Sequence, residues 1–379
     1  MSAYNRPMHD LAPSVSARII HLWRCLLLAL FCTVFSRHGV AVDLPDPYLA
    51  RVEVADQSTQ ARDSALQRAL HEVLIRLSGD QQVVALPAVK EALSKADSLL
   101  DQYGYDRAPA LAPEGPARLL LEARFRPEAI MALLREANAL YWAPNRPQLL
   151  IWSVLEQNQE RRLLNASEMQ ALLPALFTAA QQRGVPLLFP LNDLEDATAL
   201  PLDQLWLLNG EAITAASLRY HPDGVLAGRI EQRPDGRWQA RWWFDDNGER
   251  WQLDLDADAL DALAAGAIDQ VANNWASRHA VRLGASAEQL ELEITEVNTL
   301  ARYAAVMSHL QKLPWARRVT LVGVSGPMLR FSLVSDVDRS QSQQLLQLDG
   351  KLEQQSQPVA DAPPGVVPTT ALRYRWRGG

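Results

Sequence analysis

Residues 224–255 read GVLAGRIEQRPDGRWQARWWFDDNGERWQLDL, and this stretch decides the fold class. Apolar and polar residues alternate in three segments, which are separated by Pro234-Asp235-Gly236 and by the turn residues 245–248. Asp-Gly and Asn-Gly between alternating segments are the strongest short-range signals for antiparallel hairpins. The stretch therefore predicts a meander with strands at Gly224–Arg233, Arg237–Phe244 and Glu249–Leu255.

The sequence on either side of the meander predicts a middle α+β unit over residues 148–283. A helix predicted at Ala257–Arg282 has one apolar face, so it is expected to cover one face of the meander. Before the meander, the predicted elements are a buried strand, a helix, a short strand and a second helix: Gln148–Leu155, Ser167–Arg183, Val185–Phe189 and Leu202–Arg219.

A smaller α+β unit is predicted at residues 42–143, before a rigid linker that contains Pro144 and Pro147. The sequence of this unit predicts strands, helices and a turn. In chain order these are a strand at Tyr48–Val54, a helix ending at Gly79, a helix near Leu86–Leu100, turn-rich Tyr103–Asp106, a strand at Arg118–Phe125 and a helix from Pro127.

Residues 287–379 predict a third unit whose order is strand–helix–strand–strand–helix–strand. This order is that of a ferredoxin-like βαββαβ unit. Its predicted elements are a strand at Leu290–Ile294, a helix capped by Asn298 or Thr299, a hairpin of Val319–Val324 and Met328–Leu333, a helix at Arg339–Leu352 and, after a Pro-rich loop at Pro358–Pro368, a strand at Leu372–Trp376. The fold class is therefore α+β, with three small units.

The amino terminus predicts export. Arg18 and Arg24 precede a short apolar segment at Cys25–Phe35, and small residues precede Val42. This arrangement is typical of a secretory signal peptide, here residues 1–41. The apolar segment is shorter than the roughly 20 residues of a membrane span, so we expect a periplasmic chain with no stable span after cleavage. An uncleaved signal that tethers the chain to the inner membrane is the alternative.

Cleavage would change both the thiol content and the charge. The two cysteines, Cys25 and Cys32, lie inside the predicted signal, so the mature chain would have no disulfide, thiolate nucleophile or cysteine-bound metal. The remaining 33 basic and 43 acidic residues give a net charge of −10, against −7 for the whole chain. An acidic chain without a basic run is a poor candidate for binding nucleic acid.

Several segments resemble the proteobacterial DUF2066 family. They are the opening strand and helix, the linker with the strand after it, and a segment of the third unit: Val52–Ser58 with Ala69–Gly79, Trp142–Pro147 with Leu150-Ile151-Trp152, and Leu313–Val319. The resemblance implies an exported protein of unknown function and brings no catalytic residues. In the middle unit, Pro222–Arg229 and the Trp-bearing strand are similar to the amino-terminal domain of the translocation protein TolB, which implies a periplasmic binding or adaptor protein.

No catalytic or cofactor motif is recognisable. The histidines after the predicted signal, which are His71, His221, His279 and His309, show no HExxH or HxH spacing, and we expect structural roles for them. A Walker loop and a dinucleotide fingerprint are both lacking in the sequence, so no cofactor, metal or catalytic residue is predicted. Asp254, Asp256 and Asp258 alternate at a strand end and are expected to form a solvated edge.

Trp243 and Arg241 are the candidate partner-binding residues. Trp238, Ala240, Trp242 and Phe244 share one strand face, whereas Trp243 points the other way with Arg241. An exposed aromatic beside an arginine is typical of a binding surface. The alternative for Trp243 is cross-strand stacking without a partner.

Two functions from different classes remain. The first is a non-enzymatic envelope adaptor that presents sheet faces to envelope proteins. The alternative is a periplasmic hydrolase that brings acidic residues such as Asp254 and Asp256 together with a histidine in a cleft between units.

Overall fold

The computed structural model describes residues 40–42, 46–108, 117–246, 248–284, 288–348, 350–355 and 371–378. The predicted signal peptide, apart from the backbone of residues 40 and 41, and the Pro-rich loop lie outside these ranges. The strands are β1 Val40–Val42, β2 Leu49–Val54, β3 Leu100–Ala108, β4 Arg118–Phe125, β5 Leu140–Tyr141, β6 Leu149–Gln157, β7 Glu160–Leu163, β8 Leu187–Phe189, β9 Gly224–Gln232, β10 Trp238–Asp246, β11 Glu249–Ala257, β12 Val281–Arg282, β13 Glu288–Thr295, β14 Ala316–Ser325, β15 Met328–Ser335, β16 Leu352–Gln354 and β17 Leu372–Trp376.

The described residues also form eleven α-helices, which confirms the predicted α+β class. They are α1 Thr59–Ser78, α2 Pro87–Ser94, α3 Pro127–Glu136, α4 Ala166–Leu172, α5 Pro174–Arg183, α6 Leu194–Ala199, α7 Leu202–Trp206, α8 Gly210–Ser217, α9 Ala262–His279, α10 Leu300–Gln311 and α11 Arg339–Leu348. In the part of the chain that the structure describes, no helix is both long and apolar enough to cross a membrane.

The first unit is a three-stranded antiparallel sheet, β2-β4-β3, that packs against α1. Ser58 caps α1 at its start. Gly79 ends the helix in the left-handed conformation, as the sequence predicted. The turn predicted at Tyr103–Asp106 is wrong, because these residues lie in β3. An edge strand tolerates Gly104 and polar residues, since only one of its sides pairs with a neighbour.

The middle unit is a mixed seven-stranded sheet. Its main order is β1-β8-β6-β9-β10-β11, with β7 paired to β6, and β9, β10 and β11 form the predicted meander. Two helices expected to be continuous are each divided. Pro174 starts α5 anew after α4, and α8 starts after Asn209, which caps its amino terminus.

Both faces of this sheet are buried over most of β6 and β9 and at Trp242 and Trp243 of β10. Trp238, Ala240, Trp242 and Phe244 pack with α5 and α9, as predicted for the first of these faces. The second face carries Trp152 and Trp243 and is covered by residues of α7 and α8. At these positions the sheet presents neither face to a partner.

The third unit has the sheet order β14-β15-β13-β17-β16. The order of its first five elements and the strand at Leu372–Trp376 agree with the prediction. It departs from a ferredoxin-like sheet in two respects: β17 is parallel to β13, and the additional strand β16 lies outside β17. The last strand thus occupies an interior position of the sheet.

The first and third units share one continuous core. Between them, the fully buried carboxylate of Asp336 accepts hydrogen bonds from Arg135 of α3 and from Arg317 of β14. Arg135 also donates to the carbonyl oxygen of Pro314. The short strand β5, just before the linker, pairs with β12, which follows α9.

Candidate ligand cleft between the first and second units

Helices α1 and α5 meet at their carboxyl-terminal ends. Each of them ends at a left-handed glycine, Gly79 with φ 69° and Gly184 with φ 67°. Nε of Arg76 donates to the carbonyl oxygen of Gln181 at 2.9 Å, and Arg183 donates to that of Gly79 at 3.0 Å. Each helix thus supplies an arginine that binds a terminal carbonyl group of the other.

Arg146, from the linker, completes this junction. Its guanidinium lies 3.7 Å from the centre of the Trp142 ring and donates to five carbonyl oxygens, among them that of Arg183 at 2.8 Å. Burial lowers the pKa of Arg146 to about 9; Arg76 and Arg183 act in the same direction and Tyr141 in the opposite one. The negative ends of the two helix dipoles offset part of this buried charge.

A cleft of about 930 Å³ opens from this junction, between α1 on one side and α5 with the first half of α9 on the other. One wall is a stripe of α1 residues spaced three and four apart: Ser64, Gln67, Arg68, His71, Glu72 and Ile75. The helical rise makes this wall about 16 Å long. The volume falls within the range of about 300–1,000 Å³ that is usual for ligand sites.

The opposite wall is formed by α5 and α9, which run side by side in the same direction. At their starts, Asp261 accepts a hydrogen bond from the backbone N–H of Ala175 at 2.6 Å. Further along, Arg183 pairs with Asp269 at 3.0 Å. Small apolar side chains, Ala175, Ala179 and Ala265, lie between these polar groups. They leave room for a ligand to approach the helix backbones closely.

Several polar groups in the cleft have no hydrogen-bond partner among the described residues: the side chains of Ser64, Gln67, His71, Glu72 and Gln182. Glu72 is the half-buried member of this set. Burial raises the pKa of Glu72, while Arg76 and Arg68 act in the opposite direction. The cleft therefore offers free donors and acceptors and one partly desolvated carboxylate.

The expected exposure of Trp243 is wrong. The residue is only 5% exposed, because Gly210 at the start of α8 packs directly on its ring. Arg241 does reach the surface, where it forms a two-pronged ion pair with Asp254. The two candidate residues therefore do not form a joint exposed surface.

The predicted solvated edge of aspartates is confirmed, and each aspartate has an arginine partner. Arg241 pairs with Asp254, Arg233 with Asp256 and Arg237 with Asp258. They lie on and just after β11, so the hydrolase hypothesis is wrong in naming Asp254 and Asp256 for a cleft between units. Among the described residues, no three His, Cys, Asp or Glu side chains could together hold a metal ion.

The histidines are spread over different parts of the molecule. His71 lies in the cleft, and His309 packs against Trp376 with the rings tilted and 5.4 Å between their centres. His221 caps a short 3₁₀ helix. His279 has a buried Nδ1 without a partner in the described residues, and burial lowers its pKa, with Arg278 acting in the same direction.

Glu72 and its neighbours were missed as site residues. Their signal is the polar stripe of α1 at helical spacing, which on its own reads as an ordinary solvated helix face. Only the placement of α5 and α9 opposite this stripe makes it a wall of a cleft.

The comparisons with known proteins bear on the first unit. Residues 41–143 match a family model described as a domain of unknown function, DUF8605. This match covers less than half of the chain, and it includes α1, which forms one wall of the cleft. The resemblance to DUF2066 rests on the residues quoted above and stays a prediction.

No curated protein matches the chain. Four chains of solved structures match it, among them a crystal structure of an uncharacterized protein. That protein is 12% identical, and the match covers 35% of this chain and 91% of the other, with a TM-score of 0.16. A likeness of this kind carries no argument about fold or function.

Proposed function

We propose that the protein is an exported, periplasmic, non-enzymatic adaptor that binds a protein of the cell envelope in the cleft between its first and second units. The observation that carries this proposal is the cleft, whose walls present unpaired polar groups over small apolar side chains. A groove bounded by helices is a common docking site for a segment of a partner protein.

The fixed junction at the closed end of the cleft supports a binding role. Arg76, Arg146 and Arg183 tie the two helix ends together through carbonyl acceptors, so the walls are held at a set separation. A preformed site loses less conformational entropy on binding than a site that must first be ordered.

Two of the cleft carboxylates, Asp261 and Asp269, have structural roles, which favours binding over hydrolysis. Asp261 holds the start of α5 and Asp269 holds Arg183, so both have structural partners. His71 has no carboxylate or carbonyl group that orients it among the described residues. Acid–base catalysis by histidine usually depends on such an orienting group.

A hydrolase remains the second candidate because of one feature, the half-buried Glu72 beside His71. A carboxyl group whose pKa is raised by burial is typical of a general acid. This alternative predicts turnover of ester or glycoside substrates that is lost in both Glu72→Gln and His71→Ala. The adaptor proposal predicts no turnover in any of the three proteins.

Site-specific photo-crosslinking in the native host tests the adaptor proposal. A photoreactive amino acid is placed at Gln67 or Gln182 in the cleft, or at the exposed Glu160 of β7 as the control. We expect one adduct of the same mass from both cleft positions and none from Glu160. Thr178→Trp, which fills the cleft from the exposed face of α5, should remove the adduct. Equal labelling at all three positions, or no adduct at the cleft positions, would contradict the proposal.

Export is tested separately by cell fractionation with intact-mass measurement. We expect the protein in the periplasmic fraction with a mass that lacks residues 1–41. A full-length mass in the membrane fraction would support the uncleaved anchor instead.

A further inference from the structure

Glu72 lies between two arginines of its own helix, and neither of them pairs with it. Arg68 donates to the carbonyl oxygen of Glu53 at 2.8 Å. Arg76 donates to the carbonyl oxygens of Gln181 and Leu49, the latter at 2.7 Å. Both guanidiniums thus use hydrogen bonds elsewhere, although their positive charges still act on Glu72 through space.

The other side of the cleft offers Glu72 no partner either. Arg183 is held by Asp269 and Asn273, the latter at 2.6 Å, and Gln182 is unpaired. Arg118, on the remaining side, pairs with Glu53 at 3.5 Å. Glu72 is therefore a partly buried carboxylate without an ion pair among the described residues. Such a group is stabilised when a cation approaches.

A second carboxylate, at the open end of the cleft, would also be stabilised by a cation. Asp261 accepts from a backbone N–H and has no cation partner in the described residues. Against these two carboxylates, the cleft has one arginine, Arg68, that lacks a carboxylate partner. The net charge of the chain, −7, adds to the attraction of cations.

We infer that the partner segment that enters the cleft is basic, with a lysine or arginine side chain that pairs with Glu72 and further basic residues toward Asp261. The inference rests on the proposed function. An acidic segment could pair with Arg68, but its negative charges would lie beside Glu72 and Asp261 and be repelled by them. Charge complementarity thus selects a basic occupant.

Three matched peptides test this inference. Each is a capped 16-residue amphipathic helix with the same Leu and Ala positions, and its polar positions carry only Lys, only Gln or only Glu. Binding of each peptide to the full chain is measured by calorimetry at low salt. The proteins are wild type, Glu72→Gln, and the control Glu160→Gln, which removes one exposed and unpaired carboxylate outside the cleft. Thermal unfolding confirms that all three are folded.

We expect the Lys peptide to bind wild type most tightly. Glu72→Gln should weaken it by about tenfold, as for loss of a charge-assisted hydrogen bond, and Glu160→Gln by less than about twofold. Equal affinity for the Lys and Glu peptides, equal weakening in both variants, or no binding of the Lys peptide to wild type would overturn the inference. If the photo-crosslink at Gln182 nevertheless forms, the adaptor proposal stands and the basic occupant alone is rejected.

Discussion

The guanidinium of Arg146 lies 3.7 Å from the centre of the Trp142 ring, buried in the junction between the first two units. Its hydrogen bonds go to carbonyl oxygens, including those of Ala143 at 3.0 Å and Arg183 at 2.8 Å. A buried charge is tolerated here because the carbonyl ends of two helices converge on it. Together with Arg76 and Arg183, this linker side chain therefore joins the two units.

Replacing Arg146 by methionine should therefore destabilise the protein strongly. The change removes the five donors and leaves buried carbonyl groups without partners, which we expect to cost about 2–4 kcal/mol. Urea unfolding followed by circular dichroism measures this loss. Arg241→Ala, which breaks an exposed ion pair, should change stability by less than about 1 kcal/mol. Similar losses in both variants would show that the junction is not critical.

Asp336 is expected to hold the third unit to the first. Asp336→Asn keeps the shape but removes the charge between Arg135 and Arg317, and we expect a loss of about 2–4 kcal/mol. Because the pair joins two units, unfolding should also become less cooperative, with separate calorimetric transitions. Asp254→Asn is the matched control, since its carboxylate has an exposed arginine partner. A single transition at the wild-type temperature would contradict this prediction.

Gly228 of β9 allows the ring of Trp242 to lie directly on the backbone of the neighbouring strand. A Cβ atom at Gly228 would overlap this ring, so Gly228→Ala should cost about 2–3 kcal/mol. Gly104→Ala, in edge strand β3, adds a methyl group with no atom within 4 Å and should have little effect. Thermal unfolding of the two variants distinguishes these cases. Equal melting temperatures would show that the Trp242 ring can move aside.

Glu72→Gln should raise stability at pH 7. Burial raises the pKa of Glu72 above its unfolded value, so ionisation costs the folded state more than the unfolded state. This loss of stability begins as the pH rises through the ordinary pKa of glutamate. It is complete once the pH is above the pKa of Glu72 in the folded protein. Melting temperatures from pH 3 to 8 should show the gain at neutral pH and none at pH 3. A lower melting temperature than wild type at pH 7 would mean that the carboxylate is favourably paired.

The parts of the fold with strong local signals were predicted well. The turns at Pro234–Gly236 and after Asp245 place all three meander strands within two residues of their observed ends. The helix that ends at Gly79 was also correct, because a left-handed glycine stops a helix whatever surrounds it. These features depend on neighbours in the chain.

Features that depend on tertiary packing were missed. Alternation along β10 shows that Trp242 and Trp243 point to opposite faces, but not that α8 covers Trp243. The cleft is a stronger case, since the residues of α5 and α9 that face α1 lie about 100 and about 190 positions from it in the chain. No pattern within α1 shows that α5 and α9 face its polar stripe.

Because β17 lies inside the sheet of the third unit, that sheet depends on Leu372–Trp376. Because β17 lies between β13 and β16, a chain that stops before Leu372 leaves both of these strands with unpaired edges. The complete sheet therefore cannot form until Leu372–Trp376 has left the ribosome. A product that lacks this strand would expose strand edges that proteases and chaperones recognise.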